Sequence, residues 1–245
     1  MHTIALATQK GGSGKSTLAI GLALAAMQEG HTVRLIEADA RNTLSNWTER
    51  RAHAEPRVES VTSADDVEQR LQIFERNGVT LTIIDTAGGV SAITTSAVRY
   101  ADLVLIPARP SPADIEATAP TLSLARAWRK PFAFVLNQTP IRGRRVGNAA
   151  TTLADEAALE LSDVLAQPCI VMRNDHQDAL GAGLAVSEYA PASKSADEIR
   201  ELWRWVDVKL TAGADRGNVV SLHAVSDIRP APYLPAAAGV ATVAG

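Results

Sequence analysis

The stretch TQKGGSGKST, Thr8 to Thr17, decides how the rest of the chain is read. It follows the apolar run TIALAT (3–8) and opens the largely apolar segment KSTLAIGLALAAMQEG (15–30). A glycine-rich turn between a strand and a helix converges successive backbone N–H groups on one point, and the helix N-terminus adds partial positive charge there. Such a turn holds phosphate. Gly11, Gly12 and Gly14 let the backbone curl without a Cβ to crowd a ligand, so the cradle is expected to comprise Gly11, Gly12, Ser13, Gly14, Lys15, Ser16 and Thr17. Lys15 would reach the β- and γ-phosphates of a nucleotide, and the Ser16 hydroxyl would coordinate Mg²⁺. The loop departs from the general pattern G-x-x-x-x-G-K-[ST] in having Gln9 at the first glycine position, and it carries an additional lysine, Lys10.

A phosphate cradle that uses magnesium needs a carboxylate. LTIIDTAGG (81–89) supplies Asp85 at the C-terminal end of an apolar run, where ligands collect in open α/β sheets. Gly88 and Gly89 follow and would let that loop move with the γ-phosphate. The second apolar run ends in LIEADARNTLSNW (35–47), which puts Glu37 and Asp39 on one side of an extended chain. Beside a magnesium triphosphate, Asp39 would share the metal environment with Ser16 and Asp85 and would orient or deprotonate the attacking water.

Around this site the apolar runs 3–8, 32–39, 79–86, 103–108, 132–137 and 168–172 alternate with helix-like stretches at 15–29, 63–76, 91–100, 112–128, 147–165 and 192–211. That alternation predicts an α/β fold of the P-loop NTPase type, a mostly parallel central sheet with helices on both faces. Hydrophobic residues make up 46% of the 245 but aromatics only 4%, so the core is expected to be built from Ala, Leu, Val and Ile. One domain is expected over 1–212. From Gly213 to the end the proline-containing, charge-poor sequence has no period of 2 or 3.6 and reads as a flexible tail or a partner-binding arm.

Cys169 is the only cysteine, which excludes a disulfide framework, a cysteine-based metal site and an iron–sulfur cluster. The N-terminus lacks the basic region of a signal peptide, and no segment approaches the roughly 18–20 continuous apolar residues of a membrane span. A cytoplasmic location without membrane association is expected. The formal charge of −3 predicts no nucleic-acid binding from bulk charge alone.

KGGSGKST (10–17), EADARNTLSNW (37–47), IIDTAGG (83–89) and YADLVLIPARPSP (100–112) together resemble the ParA/MinD family of deviant Walker A ATPases. The likeness runs from Thr3 to about Leu210 and looks closest to small ParA-type plasmid partition proteins without an N-terminal winged-helix domain. It implies ATP and Mg²⁺ as ligands, weak ATPase activity stimulated by a partner protein, and a homodimer that forms on ATP binding. The family's first loop lysine, here Lys10, crosses the dimer interface to the partner's nucleotide. A lysine supplied in this way would stabilise transition-state charge as an arginine finger does. By the same resemblance Asp39 activates water, Asp85 is the Walker B aspartate, Asn137 contacts adenine, and Arg173 of the MRNDHQDALGAG segment (172–183) lies near the base. The family's usual Asp-x-Asp-Pro-Gln is here Glu37-Ala38-Asp39-Ala40-Arg41, whose first acid is one methylene longer.

The resemblance also implies non-specific DNA binding in the ATP state, with association to the nucleoid, and a centromere-binding or cargo adaptor protein as partner. Between Glu116 and Asp155 the chain has no acidic residue but carries Arg126, Arg129, Lys130, Arg142, Arg144 and Arg145. TPIRGRRVGN (139–148) reads as a basic loop able to meet phosphates, with Arg142, Arg144 and Arg145 as the expected DNA contacts. Two other functions fit the same motifs: an accessory ATPase of conjugative or T-DNA transfer, and an ATP-dependent metabolic ligase of the dethiobiotin-synthetase type.

Overall fold

In a computed structural model, residues 1–142, 144–159 and 161–216 are described. Six strands form one sheet in the order β3-β2-β4-β1-β5-β6, and every pairing is parallel. The strands are β1 (His2–Leu6), β2 (Val33–Ala38), β3 (Arg57–Ser60), β4 (Leu81–Thr86), β5 (Leu103–Ala108) and β6 (Phe132–Leu136).

Both sheet faces are covered, and this is why the strands read as continuous aliphatic runs. Successive side chains alternate between two cores. Ile4, Leu6, Leu35, Ile83, Leu103, Leu105 and Val135 pack on one face beneath α1 (Lys15–Gln28), α2 (Thr43–Arg50), α9 (Asp175–Gly181), α10 (Val186–Tyr189) and α11 (Lys194–Arg216). Ala5, Ile36, Ile84, Val104, Ile106, Phe134 and Leu136 pack on the other beneath α3 (Ala64–Arg76), α4 (Ala92–Tyr100), α5 (Pro112–Glu116), α6 (Ala119–Ala127), α7 (Arg145–Ala157) and α8 (Leu161–Val164).

Four sequence expectations change. The run 168–172 forms no strand, although it lies alongside β6 through scattered bonds. Ile170 N–H donates to Leu136 O and Met172 N–H to Thr139 O, both at 2.9 Å, while Val171 N–H, which alternation points away from that neighbour, bonds the Glu198 carboxylate. The contact stays an isolated bridge between Thr139 and Val171, and Thr139 lies beyond the last residue of β6. The sixth strand is β3 instead, at the opposite edge of the sheet, whose RVES sequence offers one aliphatic residue and so no hydrophobic signal. The helix expected over 112–128 divides at Ala117–Thr118 into α5 and α6. The helix expected over 147–165 ends at Ala157, because Ala158 adopts φ +48°, a left-handed conformation that stops an α-helix. At the other end, α11 continues through Arg216, and the expected tail beyond it, residues 217–245, lies outside the described residues. No helix among the described residues is long and apolar enough to cross a membrane.

Candidate active site

Strand order and register assemble the site. β2, β4 and β1 are neighbours, with Glu37 level with Asp85 and Asp85 level with Leu6. The phosphate-loop sequence starts two residues beyond Leu6, so it leaves the sheet beside both acids at the C-terminal edge. There it borders an open cavity of about 550 Å³, within the range of small-molecule sites. Gln9, Gly11, Gly12, Gly14, Lys15, Ser16, Thr17, Asp39, Arg41, Thr43, Gly88 and Gln138 all line it.

The loop is shaped as its glycines predict. Gly14 sits at φ +89° as the N-cap of α1 and makes no side-chain cap hydrogen bond. Leu18 N–H is bonded to Gly14 O, so the N–H groups of Lys15, Ser16 and Thr17 precede the first helical hydrogen bond and have no intrahelical acceptor. A Cβ at Gly14 would stand 2.2 Å from Asn137 Nδ2, so this position requires glycine on steric as well as conformational grounds. Asn137, at the end of β6, donates from that nitrogen to Ser13 O at 2.8 Å. Gln138 Nε2 donates to Gly12 O at 3.0 Å. The two amides pin the loop from the side opposite in sequence.

Behind the loop the groups are buried. Ser16 Oγ donates to Asp85 Oδ2 at 2.6 Å. The other oxygen, Asp85 Oδ1, is buried without a hydrogen-bond partner. Burial raises the Asp85 carboxyl to about 7, against the opposing Ser16 hydrogen bond and Lys15 charge. Lys15 is 7% exposed, and its Nζ lies 3.5 Å from Lys10 O. Desolvation lowers its ammonium from the ordinary lysine value, with Asp85 and Asp39 opposing and Arg41 adding to the shift. An unpartnered buried carboxylate oxygen next to a serine hydroxyl fits Mg²⁺, a hard cation that takes oxygen ligands and keeps several waters.

Asp39 lies at the cavity wall, where Arg41 N–H donates to its Oδ1 at 3.0 Å. Glu37, despite its spacing, is directed elsewhere. It is 1% exposed and accepts from Leu44 N–H at 2.6 Å, from Ser45 N–H at 3.3 Å and from the Ser45 hydroxyl. Asn42, the N-cap of α2, makes no side-chain cap bond, so Glu37 closes that helix start from the neighbouring strand. The extra methylene gives the carboxylate the reach to do so.

Lys10 is held. Its Nζ donates to Asp114 Oδ2 at 2.8 Å, while Arg109 Nε donates to Oδ1 at 2.9 Å and the Ser111 hydroxyl also bonds the carboxylate. Asp114 is only 3% exposed. Burial would raise its carboxyl, but these donors hold it below the usual carboxylate value. Sequence reading missed Asp114 because S-P-A-D reads as a local helix cap, whereas its pairing with Lys10 spans 104 positions. Arg41 and Gln138 were missed as well: in the sequence Arg41 shows only as a departure from the family's Asp-x-Asp-Pro-Gln, and Gln138 only as the residue after Asn137. Their position two residues past Asp39 and one past Asn137 was the available signal.

Arg173 is not among the residues lining the cavity and forms a two-pronged ion pair with Glu198 of α11, both bonds at 2.7 Å. The basic residues do not form one patch. Lys130 precedes β6 and Arg142 follows it, so the five-residue strand separates them by about 17 Å. Arg126 caps the end of α7 through Ala157 O, and burial holds Lys130 below its ordinary value. Arg142, Arg144 and Arg145 are exposed at the site's end of the sheet, the last two starting α7. Among the described residues none of the three makes an ion pair. Arginines at a helix N-terminus oppose its dipole, so this cluster is strongly positive.

Comparison with known proteins agrees with this arrangement. Residues 1–128 match the family model described as VirC1 protein. The chain is 30% identical over 211 residues to the maintenance of carboxysome distribution protein A of Halothiobacillus neapolitanus, covering 82% of this chain and 94% of that one. It is also 30% identical over 153 residues to protein virC1 of Rhizobium radiobacter, covering 58% and 66% of the two chains. Among solved structures, the cell-division protein MinD of Aquifex aeolicus superposes with a TM-score of 0.68 at 18% identity, over 85% of this chain and 98% of that one. The chain therefore belongs to the VirC1 family, within the ParA/MinD group of positioning and partition ATPases.

Proposed function

We propose that the chain binds MgATP in the cavity, pairs face to face with a second copy, binds duplex DNA in that state, and releases it on hydrolysis while moving a cargo. One observation carries this reading. Ser16 and the half-satisfied Asp85 carboxylate meet beside an uncapped helix N-terminus, with Asp39 on the wall of the same cavity.

In this mechanism the backbone N–H groups from Gly11 to Thr17 cradle the phosphates, and Lys15 neutralises the β- and γ-oxygens. Ser16 and Asp85 would hold Mg²⁺, with Asp39 close to it. The bound ion would draw charge from the phosphate oxygens. Asp39 orients the attacking water and accepts its proton as the γ-phosphorus is attacked. Asn137 Nδ2 carries two hydrogens; one is donated to Ser13, which leaves the other for adenine. Arg173, clamped to Glu198, would border the base as a fixed positive group.

Lys10 would leave Asp114 to meet the nucleotide of the second copy. Arg109 and Ser111 would remain on Asp114, so its buried charge stays compensated when Lys10 moves. Hydrolysis removes the γ-phosphate that Lys10 would contact, and the dimer loses a charge pair.

The DNA step rests on the unpaired cluster Arg142, Arg144 and Arg145, which dimerisation would double. The ATP-bound form should retard duplex DNA in a salt-sensitive manner. Replacing the three arginines by alanine should abolish retardation while leaving nucleotide binding intact. DNA binding unchanged in that variant removes the assignment. The cargo is a plasmid in the first reading and a DNA-transfer complex in the second. The relatives include a carboxysome distribution protein, so a protein assembly is a third class of cargo. The neighbouring-gene product that stimulates ATP turnover would identify it.

A further inference from the structure

Arg41 lies in the cavity but has no role in the reading above. Its side chain is exposed and lines the cavity with Lys15, Ser16 and Asp39. The guanidinium lies over Gly11, where a Cβ would stand 3.7 Å from Nη1 and 3.8 Å from Nη2. Among the described residues it makes no hydrogen bond or ion pair, although its backbone N–H holds Asp39. Arg109, Arg51 and Arg173, none of which lines the cavity, are by contrast bonded to Asp114, Glu188 and Glu198.

An unpaired guanidinium that shares the cavity wall with the Lys15 ammonium has an electrostatic cost. A polyanion placed between them removes that cost. Gly11 marks the terminal-phosphate end of the loop on three grounds. Lys15, the β/γ-contacting lysine, folds back toward the carbonyl of Lys10 next to it. The β4 loop also closes on Gly11, since a Cβ at Gly88 would lie 3.5 Å from Gly11 N. Asp39, the proposed water-activating group, is two residues from Arg41 and bonded to its backbone.

Resting on the proposed nucleotide site, we propose that Arg41 contacts the γ-phosphate of the nucleotide held by its own chain and makes the site selective for a nucleoside triphosphate over a diphosphate. Lys10 is engaged by Asp114, so Arg41 is the cation that would join Lys15 on that phosphate before a second copy arrives. A planar, always-charged fork suits the terminal phosphate oxygens better than a point charge does.

The test is the affinity of the whole protein for a non-hydrolysable ATP analogue and for ADP, each with Mg²⁺. It is measured by titration calorimetry at concentrations where the protein is monomeric by light scattering. Arg41→Gln keeps most of the side-chain length and removes the charge. It should lose about tenfold or more in affinity for the triphosphate, the scale of a charge-assisted hydrogen bond, while ADP affinity stays within about twofold. Arg41→Lys should recover only part of the loss. Equal losses for both nucleotides, or no loss for either, overturn the proposal. If the unaltered protein binds neither nucleotide, the nucleotide-site reading falls and the role of Arg41 falls with it. Selectivity lost in Arg41→Gln with ADP binding retained supports it, and that retained binding also shows that the variant is folded.

Discussion

The two lysines of the loop stand five residues apart, and the fold treats them in opposite ways. Lys15 is buried, its ammonium desolvated, and it has no ion pair among the described residues. Lys10 is about a third exposed and is paired with a buried aspartate from the far side of β5. The C-terminal half of the loop is thus built around a ligand that it alone would hold. The N-terminal half is satisfied within the chain, and any use of Lys10 elsewhere must first break a charge-assisted hydrogen bond. One loop therefore contains a fixed cradle and a cation that must be released.

Two substitutions test this division directly, and they carry the largest effects. Lys15→Ala should abolish nucleotide binding, because Lys15 is the buried cation of the cradle and Arg41, exposed at the cavity wall, is assigned to the terminal phosphate alone. Lys10→Ala should retain nucleotide binding to within a few-fold but lose ATP-dependent dimerisation, and turnover should fall by about 10³-fold, the lower range for a charge supplied in trans. Sedimentation with ATP, alongside phosphate release, separates the two. A Lys10→Ala protein that dimerises and turns over normally erases the distinction between the halves.

Asp114→Asn sharpens the same comparison with a smaller effect. The amide keeps the shape and the Ser111 contact but releases Lys10 from a full charge. Dimerisation should then occur at about tenfold lower protein concentration, the scale of one charge-assisted hydrogen bond. An unchanged or weakened dimer would mean that Asp114 positions Lys10 for the interface rather than restrains it.

The sequence made the fixed half legible because its chemistry is local. GKST and the glycines are contiguous, and Asp85 ends an apolar run at the sheet edge where ligands collect, although its place beside β1 came only with the structure. The releasable half was legible only in part. Lys10 stood out as an extra lysine, yet its partner lies 104 residues away in a segment that reads as an ordinary helix cap. Glu37 misled for a related reason. Alternation put it on the same side as Asp39, but the helix start that recruits it, α2, is only eight residues long, and its two buried apolar residues, Leu44 and Trp47, are too few to announce a helix in the sequence. In the fold, β3 was missed because RVES has one aliphatic residue, and the run at 168–172 was overread because apolar character does not fix a partner: it meets β6 and Thr139 through scattered bonds only.

The smallest effect concerns Asp85, on the fixed half. Its carboxyl is raised by burial to about 7, above the ordinary value of about 3.9. Between those two values the folded chain binds more protons than the unfolded chain, so stability falls as pH rises and levels off above about 7. The slope is at most about 1.4 kcal/mol per pH unit. Asp85→Asn removes this titration. Measured without nucleotide or magnesium, the melting temperature of the variant relative to the parent should therefore climb by a few degrees from pH 5 to pH 7.5. With MgATP present the order should reverse at pH 7.5, because the carboxylate then has a cation to hold and the amide does not. Parallel melting curves across that pH range would mean that Asp85 is charged throughout and that Lys15 compensates it. The fixed half would then resemble the Lys10–Asp114 half, satisfied within the chain before any nucleotide arrives.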